Sequence, residues 1–120
     1  MFNLTSAHRY FLCNEPTDMR KGFDGLSGLV QTYFNSDPMN GSVYVFLNKN
    51  RNLIKLLHWE NGGFAMYYKR LERGQFERPT ANDSTLISWS TLMLIVEGIS
   101  LSHIRKKERF NSPKTAIKYY

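Results

Sequence analysis

A chain of 120 residues is long enough for one domain with a hydrophobic core and too short for two. Hydrophobic residues make up 42% and aromatic residues 14% of it, which excludes a disordered or collagen-like protein, and the single cysteine, Cys13, excludes an internal disulfide framework or a zinc site of several thiolates. Sixteen Lys and Arg against ten Asp and Glu give a net charge of +6, which suits an anionic partner such as nucleic acid.

The first predicted elements are a strand and an amphipathic helix. Residues 8–13 (HRYFLC) are typical of a short strand, and residues 14–16 (NEP) end it. Thr17 or Asp18 can cap a helix that runs to about Asn35. Apolar side chains recur through this helix at the three- and four-residue spacing of an amphipathic helix: Phe23, Leu26, Leu29, Val30, Tyr33 and Phe34.

Three strand-like runs follow, at residues 42–48, 52–59 and 63–69. Asn61-Gly62 between the last two is the preferred pair for a type I′ turn, so we predict an antiparallel meander. That turn would place Trp59 opposite Phe64, Leu57 opposite Met66 and Lys55 opposite Tyr68. Because the first run is apolar on both faces, we place it at the centre of the sheet, covered by the helix.

The last third of the chain predicts a second helix. Phe76 is expected to add a short edge strand, and residues 79–84 a polar loop. Ser88 can cap a helix from Trp89 to about Gly98.

The predicted architecture is β-α-β-β-β-α, an α+β domain with a small, mainly antiparallel sheet and both helices on one face. We expect residues 1–101 to form this single domain. Residues 102–120 are polar and basic and are expected to form a frayed helix or a disordered tail. Since the sequence shows neither a signal peptide pattern nor a membrane-spanning apolar stretch, we expect a cytoplasmic protein without a membrane contact.

The positive charge is concentrated in two blocks. Residues 1–48 carry a net charge of −1 and residues 79–102 a net charge of −2. Residues 49–78 carry +4, and residues 103–120 carry +5. A nucleic-acid contact is therefore expected in the middle of the chain and in the tail.

A third candidate site lies at the start of the predicted first helix. Arg20 and Lys21 fall in its first turn, where the helix macrodipole disfavours positive charge. A bound phosphate would compensate, and the free backbone N–H groups would help to hold it. The alternative is local pairing, with Arg20 bound to Asp24 and part of the charge offset by Asp18.

The predicted hairpin register places Lys55, Tyr68 and Arg70 on one face, far from the Asn61-Gly62 turn. Cations interleaved with an aromatic ring suit a nucleic-acid strand through phosphate contacts and base stacking. The alternatives are a solvated sheet face and a tail that only improves solubility. The candidate nucleic-acid-binding residues are Arg20, Lys21, Arg51, Lys55, Tyr68, Lys69, Arg70, Arg73, Arg105, Lys106 and Lys107.

Catalysis is not predicted. The acidic residues have simpler roles in caps, in turns or beside basic residues, and no two are spaced as metal ligands. His8, His58 and His103 are isolated, and Cys13 lies in an apolar strand, where a thiol is inert. No Gly-rich phosphate loop occurs. We therefore expect no catalytic residue, metal site, cofactor or small-molecule substrate.

Three segments resemble a known family. Residues 16–31 (PTDMRKGFDGLSGLVQ), 43–59 (VYVFLNKNRNLIKLLHW) and 62–79 (GGFAMYYKRLERGQFERP) are similar to the TnpB accessory proteins of insertion-sequence family sixty-six. These proteins share only a name with the RNA-guided nucleases called TnpB. The similarity extends in order over about residues 8–101, and the tail departs from the family pattern after Ser102.

The resemblance implies an insertion sequence that encodes a large transposase and two small accessory proteins, of which this chain would be one. The predicted partners are the DNA ends of the element and the transposase or the second accessory protein. The alternative is a protein–protein adaptor that does not contact DNA. Its contacts would be an aromatic surface of Tyr67, Trp89, Tyr119 and Tyr120.

Overall fold

A computed structural model describes residues 4–79, 85–100 and 105–106 of the chain. The elements in these ranges are, in chain order, β1 (Tyr10–Leu12), α1 (Phe23–Thr32), β2 (Val43–Leu47), β3 (Leu53–Glu60), β4 (Gly63–Arg70), β5 (Leu86–Ile87), α2 (Trp89–Glu97), β6 (Ile99–Ser100) and β7 (Arg105–Lys106).

Five strands form one sheet in the order β4-β3-β2-β1-β5, and β6 pairs with β7 in a separate ladder. β1 runs parallel to β2, and the other pairs in the sheet are antiparallel. The register of β3 with β4 is the predicted one, with Lys55 opposite Tyr68. Asn61 and Gly62 between them have φ values of 50° and 81°, as a type I′ turn requires. The predicted α+β class and the antiparallel meander are confirmed.

The central strand β2 is buried along its whole length, and its alternate side chains belong to two separate cores. Val43, Val45 and Leu47 lie in the core that contains the buried residues of α2, Leu92 and Ile95. On the other face, Tyr44 and Phe46 lie in the core that contains the buried residues of α1, Leu26 and Val30. Successive side chains of a strand point to opposite faces, so the two helices cover opposite faces of the sheet.

The prediction that both helices lie on one face is therefore wrong. A strand that is apolar on both sides needs a cover on each side. Two helices on the same face would leave the other face of β2 without a helix. We call the two sides of the sheet the α1 face and the α2 face.

α1 begins later than predicted, and Arg20 and Lys21 precede it. The N–H of Thr17 donates to the carbonyl of Leu47 (2.8 Å), so the chain still follows the sheet at this point. The Asp18 carboxylate then accepts the N–H of Arg20 (2.9 Å), a local turn that competes with helix formation. The helix starts at Phe23, after Gly22.

The second half of the chain confirms α2 and corrects Phe76. Ser88 caps α2 as predicted, because its hydroxyl accepts the N–H of Thr91 (3.0 Å). Phe76 is not in an edge strand: its side chain is buried in the core on the α2 face, and its N–H donates to the carbonyl of Arg51 (2.6 Å). β5, which was not predicted, pairs with β1.

Beyond α2 the structure differs from the predicted frayed helix or disordered tail. Gly98 has a φ of 83°, a left-handed conformation that ends the helix and redirects the chain. Ile99–Ser100 then pair antiparallel with Arg105–Lys106, so these two basic residues are in a strand. Lys107 and the rest of the predicted tail lie outside the described residues, as do residues 80–84 of the predicted polar loop.

Candidate nucleic-acid interface

The cations of the middle block lie at one end of the central sheet. The turn between β2 and β3 lies at this end, beside the last residues of β4 and the segment before α1. We call residues 17–21, 48–52 and 68–76 the basic end. It contains seven Lys and Arg and only two acidic residues, Asp18 and Glu72.

The opposite end of the sheet carries much less charge. We call residues 5–9, 37–43 and 59–64 the hairpin end, because it contains the β3–β4 turn. It has one basic residue, Arg9, and two acidic ones, Asp37 and Glu60. The excess of positive charge is therefore specific to one end of the sheet.

The β2–β3 turn at the basic end is held by side-chain hydrogen bonds. The Asn48 amide oxygen accepts the N–H groups of Asn52 and Leu53, both at 3.0 Å. The residues after β4 fold back onto this turn, since the Gln75 amide donates to the carbonyl of Asn50 (2.9 Å). The guanidinium of Arg51 in turn lies 3.5 Å from the Gln75 side-chain oxygen. The turn is fixed before any ligand binds.

Lys55 holds the segment before α1 against the sheet. It lies in β3 but only 6% of its surface is exposed. Its Nζ donates to the carbonyl oxygens of Met19 (2.7 Å) and Lys21 (2.8 Å). Burying a Lys nitrogen is costly unless it is hydrogen-bonded, and these two carbonyls supply the bonds.

The expectation that Lys55 contacts a phosphate directly is therefore wrong. Lys55, Tyr68 and Arg70 do share the α1 face, as the register predicted. However, Lys55 lies beneath Tyr68, with its Nζ 4.5 Å from the ring centroid, in a cation–π contact. Tyr68 itself is 53% exposed.

Tyr68 lines an open groove across the basic end. One wall is the segment before α1, and the other is the β2–β3 turn. The lining residues are Thr17, Asp18, Met19, Arg20, Asn48, Lys49, Asn50, Leu53 and Tyr68.

Two of the cations at this end are paired with carboxylates. The Arg20 guanidinium donates to Asp18 (2.7 Å), and that hydrogen bond lowers the pKa of the Asp18 carboxyl to about 2. The Arg70 guanidinium donates to Glu72 (2.7 Å), and this hydrogen bond raises the pKa of Arg70. Within the described ranges, no carboxylate lies at ion-pair distance from Lys21 or Lys49. The side chains of both lysines are exposed.

Not all of the predicted site residues face the groove. Lys69 points to the α2 face, where its Nζ lies 3.4 Å from the carbonyl of Val96 at the end of α2. Arg73 is exposed in the segment after β4. Nothing is described of the side chains of Arg105 and Lys106, and Lys107 lies outside the described residues.

The predicted phosphate site in the first turn of a helix is also corrected. Arg20 and Lys21 come before α1, so they do not place positive charge on its first turn. Arg20 pairs with Asp18 rather than with Asp24, the predicted local partner. Both cations still lie at the basic end.

The remaining reactive side chains are in structural positions. His58 is buried, with Nδ1 at 3.4 Å from the carbonyl oxygen of Ser42, and burial raises the pKa of the Cys13 thiol. Among residues 4–79, 85–100 and 105–106, no three His, Cys, Asp or Glu side chains are arranged to hold a metal ion.

The sequence-based site missed the groove residues Asn48, Lys49 and Asn50. They carry a recognisable signal, a polar turn between two apolar strands, and Lys49 belongs to the middle basic block. The position of residues 17–21 opposite that turn depends on the Lys55 contacts, which span more than thirty positions. Sequence spacing alone could not indicate them.

Comparisons with known proteins give one family. The family model described as IS66 Orf2 like protein matches residues 8–106. The uncharacterized protein y4jC of Sinorhizobium fredii is 30% identical to this chain over 100 residues, which cover 82% of this chain and 86% of the relative. The uncharacterized protein y4hO of the same organism is 32% identical over 96 residues, covering 79% and 84%. No solved structure matches the chain.

The two helices in the described ranges have ten and nine residues, and neither is long and apolar enough to cross a membrane.

Proposed function

Because the chain belongs to the IS66 Orf2-like protein family, we propose that it is a non-catalytic accessory protein of insertion-sequence transposition that binds DNA through its basic end. The family suggests the accessory role in transposition. The observation that supports DNA binding is the concentration of seven Lys and Arg against two carboxylates at one end of the sheet. The opposite end has one basic residue and two acidic ones, so the asymmetry gives the molecule a defined side for a phosphate backbone.

Phosphate contacts are the expected mode of binding. Lys and Arg that neutralise backbone phosphates release condensed counterions, which gives binding without sequence preference. The first candidates are Lys49, which lines the groove, and Lys21, which follows the segment that forms the other wall. Arg20, Arg51, Arg70 and Arg73 come next. Arg105, Lys106 and Lys107 would add contacts from the end of the chain. Lys69 faces away from the groove and would contribute only through its charge.

The proposed partners are the DNA ends of the element together with its transposase or second accessory protein, in the bacterial cytoplasm. Strand cleavage would be performed by the transposase, and this chain would position the ends or load the transposase. The proposal requires no cofactor, metal or small-molecule substrate.

The test is the salt dependence of DNA binding. Fluorescence anisotropy with a short labelled duplex of element-end sequence is expected to show an affinity that falls steeply as salt rises. Lys21→Ala and Lys49→Ala should each reduce the slope of log K against log salt by roughly one unit, because each removes one phosphate contact.

Arg9→Ala is the matched control, since it removes one exposed cation from the hairpin end and should leave the slope unchanged. If the slope of log K against log salt is the same for Lys21→Ala, Lys49→Ala and Arg9→Ala, binding at the basic end is contradicted. No binding of any DNA at low salt would contradict DNA binding itself.

The second candidate is the protein–protein adaptor. Exposed apolar side chains in β5 and at the start of α2 favour it: Leu86 is 50% and Trp89 is 37% exposed. Tyr67, also predicted for that surface, is half-buried, and Tyr119 and Tyr120 lie outside the described residues. If the protein binds its transposase but no DNA, and Trp89→Ala abolishes that binding while Lys21→Ala does not, the adaptor function holds.

A further inference from the structure

We infer that the groove at the basic end holds an unpaired base on the ring of Tyr68, so that the protein prefers single-stranded DNA or unpaired nucleotides to intact duplex. This inference rests on the proposed DNA-binding function and specifies its substrate. It follows from the support beneath Tyr68, from the walls of the groove and from the charges around it.

Tyr68 is a rigid aromatic platform. It lies within β4, hydrogen-bonded in register to β3, rather than in a loop. The Lys55 ammonium lies over one face of the ring, 4.5 Å from its centroid, and is fixed by the carbonyls of Met19 and Lys21. About half of the side chain remains exposed, so the open part of the ring is its opposite face and its edges. A ring fixed from below loses little conformational entropy when a second ring stacks on it.

The groove around that open face has the composition of a nucleotide site. Arg20, which is paired with Asp18, lies in one wall and Lys49 in the other, and Thr17, Asn48 and Asn50 also line the groove. The nearby Lys21 has no carboxylate at ion-pair distance in the described ranges. Cations that follow a backbone combined with an aromatic ring under a base are the arrangement that binds single strands without sequence preference.

The geometry favours an unpaired base over a duplex. Within a duplex, both faces of each internal base are stacked on neighbouring bases, so a ring fixed on a sheet can reach only groove edges and phosphates there. In a single strand, or at a mismatched or flipped nucleotide, a base face is free to stack on the ring. The charge of the groove also favours nucleic acid over an apolar protein partner, since Arg20 and Lys49 line it and Lys55 lies beneath the ring.

The test compares two oligonucleotides that differ only in their bases. Labelled oligothymidylate and an abasic strand of equal length have the same phosphates, and each is titrated with the full chain at low salt. We expect the abasic strand to bind about tenfold more weakly, the loss that one stacked base contributes. Tyr68→Ala should reduce oligothymidylate affinity by a similar factor and leave abasic binding unchanged, and Tyr68→Phe should retain the wild-type preference.

Tyr33→Ala, at the end of α1, is the control for loss of an exposed aromatic side chain elsewhere and should change neither affinity. Equal binding of both strands by the wild-type protein would contradict the stacking of a base on Tyr68. Salt-dependent DNA binding would remain in place. A duplex that binds as tightly as the single strand would overturn the stated preference. If neither strand nor duplex binds at low salt, the proposed function fails as well, so the two failures are distinguishable.

Discussion

The two ends of the central sheet are closed by different kinds of interaction. At the hairpin end, the backbone preferences of Asn61 and Gly62 close the turn, and the rings of His8 and His58 pack edge to face with centroids 4.8 Å apart. At the basic end, side-chain hydrogen bonds close the sheet: Asn48 holds the turn, and the buried Lys55 holds the segment before α1.

The difference explains where the surface charge is available. Beneath the groove at the basic end, Lys55 is buried and satisfies two backbone carbonyls. Arg20 and Lys49 line the groove, whereas Lys69 points to the α2 face of the sheet. At the hairpin end, turn geometry, ring packing and local side-chain hydrogen bonds such as that from the Met39 N–H to Asp37 hold the chain, and few charged residues are present. The buried cation thus positions the groove, and exposed cations such as Lys21 and Lys49 lie around it.

The largest expected effect is at Lys55. Lys55→Met keeps the apolar stem but removes both hydrogen bonds to the carbonyls of Met19 and Lys21. Two hydrogen bonds from a charged donor contribute about 3–6 kcal/mol together, and the variant no longer buries an ammonium group, which offsets part of that loss. We therefore expect the free energy of unfolding to fall by about 2–4 kcal/mol in urea denaturation. Lys49→Met, at an exposed position of the same end, should change it by less than about 0.5 kcal/mol. Equal stability of the Lys55→Met variant and the wild type would contradict the structural role of this lysine.

A smaller effect is expected at the hairpin end. Gly62 has a φ of 81°, and a Cβ there meets no atom within 4 Å, so Gly62→Ala introduces backbone strain without a clash. We expect a loss of about 1 kcal/mol in the free energy of unfolding, with DNA affinity unchanged. Gly28→Ala, inside α1, also meets no atom and should instead stabilise the protein by about 0.5–1 kcal/mol. A change of DNA affinity in the Gly62→Ala variant would show that the two ends are not independent.

Removing a carboxylate from the basic end should strengthen DNA binding. Asp18→Asn retains an acceptor for the Arg20 N–H but releases the Arg20 guanidinium, so we expect affinity at low salt to rise about two- to fivefold. Asp37→Asn is the matched control at the hairpin end, because Asp37 accepts the N–H of Met39 (2.9 Å) in the same kind of turn. Anisotropy titrations measure both variants, and an equal rise in the two would point to net charge rather than to the groove.

The smallest effect is the titration of Asp18. Its pKa is lowered from 3.8 to about 2, first by the Arg20 side chain and then by the Arg20 N–H. A carboxyl with a lowered pKa stabilises the folded state above its unfolded pKa, and that contribution is lost as the pH falls through about 2. Carboxyl carbon shifts followed by NMR should show this midpoint. In Arg20→Ala the pKa should rise only part of the way to 3.8, because the backbone hydrogen bond remains. An unchanged pKa in that variant would contradict the ion pair.

The sequence predicts local features well and distant contacts poorly. The Asn61-Gly62 pair and the alternation on either side determined the hairpin register, and Ser88 located the start of α2. The parallel pairing of β1 with β2 and the placement of the helices on opposite faces depend on how separate elements pack, which periodicity does not encode.

The same distinction applies to the candidate site. Composition indicated the cations, and the register placed Lys55, Tyr68 and Arg70 on one face. The sequence could not indicate that Lys55 is buried, because a lysine in an amphipathic strand is normally expected at the surface. Its burial depends on the carbonyls of Met19 and Lys21, which residues 17–21 supply only because α1 begins after them.

Amide shift mapping tests the difference between the two ends most directly. Unlabelled oligothymidylate is added to the 15N-labelled full chain at low salt, and backbone amide shifts are followed. We expect the largest changes within residues 17–21, 48–52 and 68–76, while Asn61, Gly62 and the residues around His8 stay unchanged. Changes centred on the hairpin end, or spread evenly over the molecule, would contradict a DNA site at the basic end.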